Sequence, residues 1–157
     1  MQAAIKQNVP FRTRRLELFV GLLLTAEALR WPFQDLLADH DQLTLQQYNV
    51  LRILRGAGAD GLPTLEIGER MIERTPGVTR LIDRLEQKGL VARERAAQDR
   101  RQVLCRITDA GIKLLARLDR PIDALESEVL GVLGDREVTE LLTLLDKLRR
   151  HCTRTPA

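Results

Sequence analysis

Cysteine and histidine are scarce in this 157-residue chain, at two residues each. Cys105 and Cys152 are too few for a disulfide framework and form no CxxC pair. With only His40 and His151 as imidazoles, a histidine-based metal site is hard to assemble, so neither a metal nor a cofactor is expected. The thiols read as a small apolar filler at Cys105 and a tail thiol at Cys152. Long apolar runs are also missing. Leu22-Leu23-Leu24 stops after three residues, far short of the roughly 18 that a membrane span needs. Met1 to Pro10 has no apolar h-region, so no secretory signal is expected and the cytoplasm is the expected compartment. Catalytic signatures are absent too: there is no Gly-rich phosphate loop, no GxSxG, no HExxH. Asp39, His40 and Asp41 are merely chain neighbours in a loop, and no enzyme is expected.

What the chain does have is an ordinary globular balance, 44% apolar and 30% charged. The net charge of +3 is unevenly spread. Residues 74–106 hold nine arginines and lysines against four acids, a surplus of five positive charges, which leaves the remainder mildly acidic. A basic segment of this kind is the electrostatic footprint of a nucleic-acid contact, although a solvated charged face has the same composition.

The periodicity is mostly helical. Leu16, Phe19, Val20, Leu23, Leu24, Phe33, Leu36 and Leu37 recur at helical spacing and predict a long helix over 12–38. Pro32 is expected to kink or restart it. Thr44 and Gln47 fit a capping box at the head of a second helix that runs to about Arg55. Gly56, Gly58, Gly61 and Pro63 then read as a loop. Thr64 is the expected N-cap of a short third helix through about Glu73, with Leu65, Gly68, Met71 and Ile72 facing inward. Gly68 would let a neighbouring helix come close. Thr75-Pro76 reads as the start of a fourth helix, with threonine as N-cap and proline in the first turn. Val78, Leu81, Ile82 and Leu85 form its single apolar face, and Thr79, Arg80, Asp83, Arg84 and Gln87 its other side. Lys88-Gly89 ends it.

Residues 90–95 and 101–107 read as two strands around the polar loop Ala96 to Arg100, a hairpin of wing size. Thr108 can cap a fifth helix whose seam is Ile112, Leu115, Leu118, Ile122, Leu125 and Val129, with a bend expected at Pro121. Gly131 and Gly134 break the chain before a last helix striped by Val138, Leu141, Leu142, Leu145 and Leu148. Helix, turn, helix and hairpin in this order predict a mostly α chain with a small antiparallel β-hairpin, the winged helix-turn-helix arrangement. In a helix-turn-helix the second helix enters the major groove. There arginine can bond guanine O6 and N7, and threonine can meet a thymine methyl or a phosphate. Amides near Gly77 at the helix start suit a phosphate, and wing arginines suit the minor groove.

The stretch Thr75 to Arg93, with Asp99-Arg100-Arg101 and Ile107-Thr108-Asp109-Ala110-Gly111 beyond it, resembles the MarR (multiple antibiotic resistance regulator) family. The shared pattern is a recognition helix, a Leu-x-x-x-Gly-Leu-Val-x-Arg passage, a wing with Asp-x-Arg and a Thr-x-x-Gly helix start. The resemblance implies one module over 1–157, divided into an N-terminal dimerisation helix over 12–42, a winged helix-turn-helix over 43–108 and C-terminal dimerisation helices over 109–151. It implies a homodimer that binds double-stranded DNA at a pseudo-palindromic operator and regulates transcription, by default as a repressor. By position it assigns groove contact to Thr75, Thr79, Arg80 and Arg84, beside the phosphate contact expected near Gly77, and minor-groove entry to Arg101 with its orientation to Asp99. Arg100 is a neighbouring wing cation, and Arg93 holds a backbone-contact or wing-bracing position. Release by a small aromatic or phenolic effector is a further implication, with Trp31, Phe33, His40 and Tyr48 as candidate pocket residues. The first helix has no cysteine, which argues against the peroxide-sensing branch. The alternative is a winged helix used for protein interaction or dimerisation without DNA. Loss of binding with rising salt would separate the two.

Overall fold

The computed structural model of the chain describes residues 8–40, 42–72, 77–95 and 103–154. The elements in order are α1 (Arg14–Asp39), α2 (Leu45–Ala57), a 3-10 turn at Gly58–Asp60, β1 (Leu62–Pro63), α3 (Thr64–Arg70), α4 (Val78–Gln87), β2 (Val91–Arg95), β3 (Val103–Ile107), α5 (Asp109–Leu130) and α6 (Asp135–Arg154). The chain falls into two compact units, residues 1–122 and 123–157.

In the first unit, α1 starts where the Thr13 hydroxyl accepts from the Leu16 amide at 3.1 Å. Of the outcomes expected at the prolines, the restart at Pro32 does not occur. α1 runs through Pro32 without restarting, and α5 runs through Pro121. A proline removes one backbone hydrogen bond, and helices of 26 and 22 residues keep the bonds on either side. The α2 capping box is present: the Thr44 hydroxyl accepts from the Gln47 amide at 3.2 Å, and Gln47 Oε1 accepts from the Thr44 amide at 3.1 Å. That pairing lets the amide of Gln47 be buried without an orphan donor. Asn49, also buried, accepts from Arg52 Nη2 at 3.0 Å.

α3 differs from expectation at both ends and on its face. Thr64 is its first residue, Pro63 holds the cap position with no side-chain bond, and the helix stops at Arg70. Leu65 and Ile72 point outward at 76% and 77% exposure, while Ile67 is fully buried. At 100° per residue, Leu65 lies about 200° around the axis from Ile67, so the two cannot share a buried face. Gly68 does admit a neighbour: a Cβ there would stand 3.3 Å from the Val78 side chain at the start of α4.

The sheet is three-stranded and antiparallel, ordered β1-β3-β2. The hairpin register pairs Val91 with Ile107, Arg93 with Cys105 and Arg95 with Val103. The two-residue β1 adds Leu62 opposite Cys105 on the other side of β3, a strand absent from the sequence reading. The core of the unit is built from Leu37, Leu51, Leu54, Ile67, Ile82, Leu85, Cys105, Leu115 and Leu118, all essentially inaccessible. Each buried leucine or isoleucine contributes roughly 1.5–3 kcal/mol. Arg55 of α2 reaches both carboxylate oxygens of Asp119 on α5, at 2.9 and 3.0 Å.

In the second unit, the chain turns at Gly131 and Gly134, and the Gly134 amide donates to Glu137 Oε2 at 2.9 Å as α6 begins. Asp146 holds Arg150 at 2.6 Å and Arg149 at 3.2 Å, and the Arg150 hydrogen bond sets its carboxyl below the ordinary aspartate range. Leu141, Leu142, Leu144 and Leu148 of α6 remain exposed. So, in the first unit, do Leu16, Leu18, Phe19 and Leu23 of α1.

Candidate nucleic-acid interface

α4 has the expected apolar back. Leu81, Ile82 and Leu85 are buried and Val78 is half-buried, at the spacing that places them on one stripe. Its start is later than Thr75-Pro76 suggests. Gly77 holds the N-cap at φ +114°, without a side-chain bond, and Val78 is the first helical residue. Glycine tolerates that left-handed backbone, so the cap is conformational rather than a hydroxyl bond. At the other end, the Leu90 amide donates to the Leu85 carbonyl at 2.9 Å and the Gly89 amide to the Glu86 carbonyl at 2.8 Å. This is the paired bonding of a Schellman motif, with Gly89 at φ +69°.

Thr79, Arg80 and Arg84 are exposed on the side of α4 away from the core, and Asp83 is half-buried among them. Arg80 and Arg84 stand one turn apart, so their guanidinium groups leave the helix on one face. Among the described residues neither side chain has a hydrogen-bond or ion-pair partner.

Arg93 behaves differently. Its side chain is only 24% exposed and lies back across α4 from β2. Nη2 donates to Asp83 Oδ1 at 2.5 Å and to the Thr79 carbonyl at 3.4 Å, and Nη1 donates to Glu86 Oε2 at 2.8 Å. Burial opposes its charge, but the hydrogen bond to Asp83 and the charges of Asp83 and Glu86 outweigh it, so its pKa stands above the ordinary arginine value. Of the two roles the sequence suggests for Arg93, these contacts are those of a brace between β2 and α4. The sequence places Asp83 on the outward face of α4 but gives neither Asp83 nor Glu86 a role. The available signal was a pair of acids three apart on α4, followed by an arginine at the third position of the next strand.

The exit of α4 is tied to the entry of α5. Thr108 donates its hydroxyl to the Gly89 carbonyl at 2.7 Å and its amide to the Leu90 carbonyl at 3.0 Å. The same hydroxyl accepts from the Gly111 amide at 3.2 Å, capping α5 as expected. A Cβ on Gly111 would lie 2.5 Å from the Leu90 carbonyl oxygen and 2.7 Å from Ile107 Cγ1. The Thr-x-x-Gly passage is therefore a contact between two backbones that leaves no room for a side chain.

Thr75, Asp99, Arg100 and Arg101 lie outside the described residues. Of the four candidate pocket residues, two are in ring contact. Phe33 and Tyr48 stack at 5.6 Å with a 60° tilt, Tyr48 being part of the core. His40 Nδ1 is 2.8 Å from the Leu36 carbonyl at the end of α1, and Trp31 is 59% exposed. A surface cleft of about 600 Å³ lies elsewhere, bounded by Gln42, Lys88, Leu90, Lys113, Leu114 and Arg117. Among the described residues no group of three His, Cys, Asp or Glu side chains could hold a metal ion, and no helix is long and apolar enough to cross a membrane.

Comparison with known proteins agrees with this geometry. The sequence model of the MarR family matches residues 43–103. The HTH-type transcriptional regulator FarR of Neisseria gonorrhoeae is 28% identical over 142 residues, which cover 90% of this chain and 95% of that protein. The crystal structure of a MarR transcription factor from Planctomyces limnophilus is 36% identical, covers 87% of this chain and 98% of its own, and superposes with a TM-score of 0.66. The MepR–DNA complex of S. aureus is 25% identical, covers 90% of this chain and 99% of its own, and has a TM-score of 0.75.

Proposed function

The chain belongs to the MarR family of transcriptional regulators, which are transcription factors and not enzymes, and on that premise we propose that it is a homodimeric repressor of a pseudo-palindromic operator. The observation that carries the reading is the face of α4. Thr79, Arg80 and Arg84 are exposed together, the two arginines have no partner among the described residues, and the helix beneath them is anchored by Leu81, Ile82 and Leu85. Such a face offers donors to base edges and positive charge to phosphates. MepR, whose fold this chain shares, was solved on DNA.

In this reading Thr75, Thr79, Arg80 and Arg84 meet the major groove, amides near Gly77 meet a phosphate, and Arg101, oriented by Asp99 and with Arg100 as a neighbouring wing cation, enters the adjacent minor groove. The helices over 12–42 and 109–151 serve dimerisation. The exposed leucines of α1 and, separately, of α6 support that part, because patches of this kind on a regulator mark association surfaces. A small aromatic or phenolic anion releases the DNA. That part rests on the family likeness.

The test is selection from a random pool of duplex DNA at several salt concentrations. An enriched inverted repeat with half-sites about one helical turn apart, bound less tightly as salt rises, is the expected result. Weak binding with no enriched motif would favour the protein-interaction reading instead.

A further inference from the structure

The groove-facing helix carries two acids, and their placement makes a difficulty that Arg93 resolves. Asp83 is one turn beyond Thr79 and one residue before Arg84. Left to itself, a carboxylate there would repel phosphate and would accept a hydrogen bond from cytosine N4. Glu86 adds a second negative charge to the same helix. Both carboxylates instead accept from one guanidinium, at 2.5 and 2.8 Å, and the same group bonds the Thr79 carbonyl. Arg93 spans more than a turn of α4 and is the most buried member of the cluster.

We propose that Arg93 is a positioning residue that acts as a built-in counter-ion for the recognition helix. It engages one oxygen of each carboxylate, Asp83 Oδ1 and Glu86 Oε2, and offsets their charge, so that the guanidinium groups of Arg80 and Arg84 dominate what the outward face of α4 offers to DNA. The consequence is a specificity. Guanidinium donors match the O6 and N7 acceptors of guanine, whereas a carboxylate without its counter-ion would also admit cytosine. The operator half-site therefore carries guanine opposite Arg80 and Arg84, and Arg93 enforces this without touching a base or a phosphate. This inference rests on the DNA-binding reading above.

The experiment selects duplexes from a random pool with the wild type, with Arg93→Ala, with Arg93→Lys and with the triple variant Arg93→Ala/Asp83→Ala/Glu86→Ala. It then measures the salt dependence of each on the wild-type consensus. Guanine-bearing half-sites are expected for the wild type. Arg93→Ala should bind roughly tenfold more weakly and accept cytosine where the wild type does not. The triple variant, with no carboxylate left to silence, should return to within a few-fold of wild type with the wild-type motif and salt slope. Arg93→Lys keeps the charge but has one nitrogen for acceptors that the guanidinium bridges with two, so it should fall between wild type and Arg93→Ala and admit some cytosine, and that motif change carries the test if Arg93→Ala does not fold.

A direct phosphate contact predicts the opposite. The triple variant would stay as weak as Arg93→Ala, and both would lose about one unit of salt slope. That result overturns the proposal, as does an Arg93→Ala variant with unchanged affinity and motif, or an Arg93→Lys variant as weak as a full arginine loss. A wild type that binds no duplex at all would instead bring down the DNA-binding reading itself.

Discussion

Gly111→Ala sets helix propensity against packing, and the two disagree in sign. Gly111 lies in the first turn of α5, where alanine would favour the helix by at most about 1 kcal/mol. The added methyl, however, would stand 2.5 Å from the Leu90 carbonyl oxygen and 2.7 Å from Ile107 Cγ1. That oxygen belongs to the backbone and is held by the Thr108 amide at 3.0 Å, so it cannot swing aside as a side chain would. Relief requires α5 to lift from the end of α4. Overpacking of this kind costs roughly 1–3 kcal/mol, and loosening the Thr108–Leu90 bond adds about 1 kcal/mol. The net expectation is a loss of about 2 kcal/mol. For a chain of this size that lowers Tm by roughly 4–8 °C. Thermal unfolding followed by circular dichroism, at one fixed protein concentration because association shifts Tm, measures it. A Tm equal to or above that of the wild type would show that the backbone contact yields freely, and would refute the account of the Thr-x-x-Gly passage.

Two further outcomes follow from the proposed function. Arg101→Ala should weaken operator binding by roughly 1–3 kcal/mol, and a gel-shift titration indistinguishable from wild type would remove Arg101 from the wing contact. Replacing Phe19 or Leu142, both exposed, with glutamate should lower the mass seen by light scattering at micromolar concentration to that of a single chain. A dimer that survives both substitutions would place the association surface elsewhere.

The parts of the fold that were legible in the sequence are those whose signal is local and repeated. The stripe Val78, Leu81, Ile82 and Leu85 orients α4, the Thr44–Gln47 pair starts α2, and the alternation around Cys105 sets the hairpin. What escaped depends on contacts distant in the chain. β1 is a strand only because Leu62 meets Cys105 across 43 positions, and a two-residue element containing a proline has no period to detect. α3, at seven residues, is too short for its stripe to choose between Leu65 and Ile67. Thr75-Pro76 reads as a cap by residue type, yet the left-handed backbone at Gly77 delays the helix.

The candidate site divides in the same way. Arg80 and Arg84 can be placed from helical spacing alone. Engagement of Arg93 with Asp83 and Glu86 depends on how β2 folds back over α4, and no spacing rule contains that.

The short β1 strand also bears on how the protein avoids misassembly. A sheet edge with unpaired amides and carbonyls is a template onto which another chain can add a strand. Here β1 is two residues long and one of them is Pro63, which has no amide to donate. The opposite edge, β2, carries the exposed charges Glu94 and Arg95, which resist pairing with another strand. Both margins are thus poor templates for edge-to-edge aggregation, even though the same chain leaves bare leucines on its long helices.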